Sequence, residues 1–163
     1  MNATEAIKAA SVVPGFLWKA YIEDLTDEEM LVRPVEGANH IKWQMGHVIA
    51  SQKGLVDAVC PGKMPELPDG FAEKYSKETA GSDDPAAFDS KADLIRLAEE
   101  SNAAAMKILE GLSDEDLEKP MPEHFQRFGP NVAHLFTMLP AHWTMHAGQW
   151  AVIRRKLGRP PLF

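Results

Sequence analysis

The sequence predicts an all-α fold, a four-helix bundle with a long crossover between its second and third helices. Three observations carry this. Four long segments place apolar residues at spacings of three and four, the period of a helix with one buried face. No stretch shows the strict alternation of a half-buried strand. Between the second and third segments, residues 60–88 are rich in Pro, Gly, Ser and Asp, a length that suits a crossover, a lid or a disordered loop.

The first helix is expected from about Thr4 to Asp24, with Thr4 as N-cap and Ile7, Ala10, Pro14, Leu17 and Tyr21 on one face. Pro14-Gly15 should kink or split it. Thr26 then leads a short capped turn into Asp27-Glu28-Glu29. Asn39 is the expected cap of a second helix, His40 to Val59, whose stripe is Ile41, Met45, Val48, Leu55 and Val59. His47 lies beside that stripe, directly after Gly46. A mid-helix glycine costs about 1 kcal/mol relative to alanine, so close approach of a helix or ligand is expected there. Pro61 ends the helix.

The third helix is expected from about Asp89 to Glu110, burying Leu94, Leu97, Ala98, Ser101, Ala105, Ile108 and Leu112, with Gly111 at its end. Ser113-Asp114-Glu115-Asp116 repeats the capped-turn pattern of Thr26. Asn131 caps the fourth helix, which runs to Leu157 and stops at Gly158 before Pro160-Pro161. Pro140 predicts a kink or a fresh start one turn before His142.

At 163 residues the chain reads as one domain, residues 1–163. The lone Cys60 excludes an internal disulfide framework and fits a reducing cytoplasm. Its place beside Pro61 offers no activating cation, so it reads as inert. No apolar run reaches membrane-spanning length, and the N-terminus lacks the pattern of a secretory signal. A formal charge of −7 argues against a general nucleic-acid binder.

Six histidines are present: His40, His47, His124, His134, His142 and His146. His142 and His146 are four apart on the apolar stripe of the fourth helix, so both imidazoles point inward and can share one metal ion. His47 is the best third ligand, from the second helix. His134 is angularly offset, while His40 and His124 fall where solvated histidines are common. Trp143 follows His142 where a zinc protease needs glutamate, which excludes that motif. Gln149, one turn after His146, is a candidate to orient a ligand or bind water, or else only fixes packing. Trp43, Trp143 and Trp150 are candidate pocket walls, with core packing the expected role of at least two.

Trp43-Gln44-Met45-Gly46-His47, His142-Trp143-Thr144-Met145-His146-Ala147-Gly148-Gln149 and Leu157-Gly158-Arg159-Pro160-Pro161 resemble the DinB-like superfamily, which includes the YfiT-like metal-dependent hydrolases. The resemblance covers nearly the whole chain. It implies the bundle with its crossover, and a divalent metal, zinc or nickel, on the positions matching His47, His142 and His146. It also implies a small-molecule substrate, a low-molecular-weight thiol or water as nucleophile, and a homodimer. Relatives often carry an acid shortly after the second-helix histidine; Ser51 and Gln52 stand there in this chain. A metal- or ligand-binding bundle without catalysis is the alternative. His134, or a carboxylate from residues 60–88, could then close the metal site.

Overall fold

The computed structural model describes residues 1–163. Its four long helices are α1 (Ala3–Ile22), α2 (Ile41–Val59), α4 (Lys91–Glu110) and α6 (Val132–Lys156). The short helices α3 (Phe71–Lys74) and α5 (Asp114–Glu118) lie in the connections. There is no strand, only an isolated bridge between Pro120 and Asn131. The long helices form a four-helix bundle: α1 packs along α6, and α2 against both α4 and α6. No helix is long and apolar enough to cross a membrane.

The core has two parts, each drawing on all four long helices. One gathers Trp18, Ile22, Met45, Leu94 and Trp150. The other gathers Ile7, Leu55, Leu109, Leu135 and Phe136. Where they meet on α2, α4 and α6 runs a buried polar chain. Trp143 Nε1 donates to Gln52 Oε1 at 3.2 Å, and Gln52 Nε2 donates to Ser101 Oγ at 3.0 Å. Each polar atom so buried needs its partner, because an unmade hydrogen bond there costs about 1–3 kcal/mol.

The helix starts follow side-chain capping. Asn2, not Thr4, caps α1: its Oδ1 accepts the Glu5 N–H at 2.8 Å, and Glu5 Oε2 accepts the Asn2 N–H at 3.0 Å. The apolar repeat begins only at Ile7, which drew the expected start two residues too late. Nor does Pro14 split α1, which is continuous to Ile22. Ile7 lies before Pro14 and Trp18 and Ile22 after it, all buried. That packing outweighs the backbone hydrogen bond that proline removes. Ala10 is exposed, so the buried face is rotated from the expected one. In α6, Pro140 is likewise carried inside one continuous helix rather than at a fresh start. Asn131 and Gly158 bound α6 as expected, Asn131 by accepting the His134 N–H and Gly158 with φ +74°. Ser113 and Asp116 form a capping box on α5, and Thr26 and Glu29 bond reciprocally at the earlier turn.

The crossover, residues 60–90, is ordered and buries Met64, Phe71, Tyr75 and Phe88. It also explains Gly46. A Cβ on Gly46 would lie 2.2 Å from Tyr75 Cδ1, so the approaching group is a crossover side chain rather than a helix or a ligand. Tyr75 is held there by its hydroxyl, which donates to Asp89 Oδ2 at 2.9 Å and accepts the Asp89 N–H at 3.0 Å. Arg33 ties the preceding connector to the same segment, donating to the carbonyls of Ala80 at 3.0 Å and Ser82 at 2.9 Å.

Candidate metal centre

His47 on α2 and His142 and His146 on α6 come together, with one ring nitrogen from each inside a sphere of mutual separations no greater than 4.8 Å. His142 Nε2 and His146 Nε2 are 3.1 Å apart, as the four-residue spacing on one helix face requires. His47 reaches them from the facing helix, its ring centroid 5.4 Å from His142 and 5.7 Å from His146. Tyr75 against Gly46 fixes the α2 backbone one residue before His47. Trp43 fixes the ring itself, stacking on it at 4.9 Å and 6°. The Trp43 indole is anchored in turn by donating to the Ser76 carbonyl at 3.1 Å.

Gln44 orients the most buried of the three. Its Oε1 lies 2.9 Å from His146 Nδ1 and also accepts Trp150 Nε1 at 2.9 Å. Its amide nitrogen donates to the Asn39 carbonyl at 2.5 Å. With the amide so committed, Oε1 is an acceptor, so His146 carries its proton on Nδ1 and presents a bare Nε2 to the cluster. Burial holds all three imidazoles neutral. It lowers the pKa of His47, and with repulsion from His47 it lowers His142 to about 4. Burial, then His142 and His47, lower His146 to about 3. Neutral imidazole nitrogens with free lone pairs are the form that ligates a divalent ion.

The other histidines stay apart. His134 is exposed, with Nδ1 2.5 Å from Asn131 Oδ1, and His124 is exposed beside Phe125. Neither His134 nor a crossover carboxylate joins the group. His40, expected at the surface, is fully buried. It is the N-cap of α2, where Asn39 was expected: its Nδ1 accepts the Trp43 N–H at 3.1 Å. Its Nε2 lies 3.2 Å from the Ser82 carbonyl, to which it donates. Histidine is an uncommon cap, so the propensity argument passed over it.

Gln149 is half-buried and makes no hydrogen bond to His146. The glutamine that reaches a site histidine is Gln44. Its signal was present in the sequence: a glutamine beside the apolar stripe, three residues before His47. Of the tryptophans, Trp43 touches a site histidine, Trp150 shares Gln44, and Trp143 packs on Trp18 at 5.1 Å. Cys60 is buried, which raises its thiol pKa, in keeping with an inert residue.

The cluster opens on one side. A cavity of about 790 Å³ is lined by His47, His142, Ser51 and Leu55 and by side chains from the segment before α6. A second cavity, of about 620 Å³, lies between α1, α4 and α6 and has no histidine in its lining.

A four-helix bundle that brings three histidines together, two of them lining a cavity, has a group of side chains able to hold a metal ion. The chain belongs to the DinB superfamily, whose pattern matches residues 17–150. YfiT from Bacillus subtilis has a similar structure, with a TM-score of 0.60 at 16% sequence identity over 97% of this chain and 89% of that one. YfiT is described as a probable metal-dependent hydrolase with an unusual four-helix bundle topology. No curated protein sequence shows significant similarity to the chain.

Proposed function

We propose that this chain, folded as one domain over residues 1–163, is a metal-dependent enzyme acting on a small molecule. His47, His142 and His146 hold one divalent ion, zinc or nickel. The observation that carries the reading is the convergence of three neutral imidazoles, two of them in the wall of an open cavity, with Gln44 fixing the His146 tautomer. The donor set fits: three nitrogen ligands with no fourth histidine, cysteine or carboxylate in the group is the pattern of a site that keeps a position for substrate. Bound there, the ion supplies Lewis acidity, which turns a coordinated water or thiol into a nucleophile near neutral pH.

The chain's own groups do the rest. Gln44 keeps the His146 proton on Nδ1, away from the cavity. Trp43 holds the His47 ring in place. Ser51, one turn beyond His47 and in the cavity wall, offers a hydroxyl where relatives often carry an acid. The described activity of YfiT supports hydrolysis, and the family resemblance supports transfer to a low-molecular-weight thiol. The working form is read as a homodimer, a reading supported by exposed Val12, Val13 and Phe16 on α1 and checked by sedimentation.

Cobalt substitution tests the open position. The absorption of the Co²⁺ protein should change when azide or a small thiol is added, because either can take the vacant place. A spectrum that neither changes indicates a closed, structural site and sinks the enzyme reading.

A further inference from the structure

The cavity beside the histidines has a composition that selects among small molecules. Its lining is mainly apolar, with Leu55, Phe125, Phe128, Met138 and Met145 among its side chains. A single charged residue lies in it, Arg127, on the turn Glu123–Phe128 that precedes α6. No carboxylate lines the cavity with it. Arg127 forms none of the ion pairs of this chain; Arg155, outside the cavity, also forms none, while Arg33, Arg96, Arg154 and Arg159 each pair with an acid. Arg127 is exposed, and its guanidinium lies over the neighbouring Phe128 ring, 4.7 Å from the centroid. What sets Arg127 apart is its place: it is the one charged side chain in an otherwise apolar and neutral cavity lining.

We propose that Arg127 is the specificity-determining residue of this cavity, and that the substrate has an apolar body ending in a carboxylate or comparable anion. This rests on the metal-enzyme reading for the other end of the molecule, where the reacting group meets the histidines. Arg127 offers a planar fork of donors that matches a carboxylate in two parallel hydrogen bonds. The aromatic, methionine and leucine side chains take the hydrocarbon between the two ends. Methionines suit such a wall because their unbranched, polarisable chains adapt to varied apolar shapes.

The test is a calorimetric comparison of two probes that differ only at one end: 6-mercaptohexanoate and 6-mercaptohexan-1-ol. Each is titrated into the zinc-loaded wild-type protein and into Arg127→Gln, and both are repeated with His47→Ala. The wild type should bind the acid about tenfold more tightly than the alcohol, the worth of a charge-assisted pair. Arg127→Gln should remove that preference and leave the alcohol's affinity unchanged, and Arg127→Lys should restore part of it. In His47→Ala both thiols should weaken together while the preference for the acid survives. Equal binding of the two probes by wild type, a preference that persists in Arg127→Gln, or no binding of either probe overturns the assignment of Arg127. Undiminished binding of both probes by His47→Ala would instead remove the metal from the account, and the acid-to-alcohol ratio in the same titrations would still decide Arg127.

Discussion

The protein withdraws histidine from water at two places along α2, at its N-cap and two turns on, and they are chemically opposite. His40 starts α2 with both ring nitrogens satisfied by the chain: Nδ1 accepts the Trp43 N–H and Nε2 donates to the Ser82 carbonyl. Two turns later, His47 has Trp43 stacked on its face and faces two other imidazoles rather than a hydrogen-bonding backbone. Across from it, His146 has a partner on Nδ1 alone, and its Nε2 faces His142 Nε2. Both regions hold their histidines neutral through burial, so pKa does not separate them. What separates them is the count of nitrogens left without a complementary partner. A histidine with none is part of the scaffold; three with free lone pairs turned together are a group able to hold a cation.

The largest expected contrast lies in metal content. Replacing His146 or His142 with alanine should abolish stoichiometric metal binding, because two nitrogen ligands remain. His40→Ala should keep the metal and lose stability, by about 1–3 kcal/mol for a lost cap and an unpaired buried carbonyl. Mass spectrometry of bound metal beside urea unfolding reads both, and metal loss in His40→Ala would break the distinction.

Gln44→Ala sharpens it. Loss of the acceptor that sets the His146 tautomer should weaken metal affinity about 10–100-fold. It should also destabilise the protein, since the Trp150 and His146 donors lose their shared partner. Competition with a chromophoric chelator measures the first effect. Unchanged affinity would show that Gln44 only packs.

Gly46→Ala tests how the crossover supports one region. Its Cβ would meet the Tyr75 ring, so the ring or the helix must shift. A loss of about 1–3 kcal/mol is expected. Tyr75→Ala in the same background should relieve the clash, and the two substitutions should be non-additive in a double-mutant cycle.

The metal-free protein should be acid-sensitive through both regions. The folded pKa values of His40 and His142, about 4, lie below the unfolded value of about 6.5. As pH falls below about 6.5, the unfolded chain takes up these protons before the folded one does. The stability held by the neutral rings is therefore complete above that pH and lost as pH falls towards the folded values. Circular dichroism against pH, with His40→Ala compared to wild type, should show a shallower loss in the variant. The smallest effect is expected of Gln149→Ala, within about 0.5 kcal/mol in stability and with metal affinity retained.

Much of this was readable from residue spacing. The four helices, their apolar faces on α2, α4 and α6, and the inward turn of His142 and His146 follow from the helical period. What spacing missed depends on contacts between distant parts of the chain. Gly46 signalled a close approach but not that Tyr75, from the crossover, makes it. Gln44 sat inside a motif already singled out, yet its partners His146 and Trp150 lie about a hundred residues away. His40 looked exposed because helix starts usually are, and only the Ser82 carbonyl folding over it reveals otherwise. Pro14 and Pro140 were weighed by local backbone cost, while packing on both sides carries each helix through. The unpaired Arg127 had no sequence signal at all, because a free cation is defined by the acids that fail to reach it.

The most direct measurement is metal content by mass spectrometry on untagged wild type, His47→Ala and His40→Ala after incubation with Zn²⁺ or Ni²⁺ and dialysis. The account predicts about one divalent ion per chain in wild type, the same in His40→Ala, and almost none in His47→Ala. Retention of the ion in His47→Ala, or no ion in wild type, would contradict it.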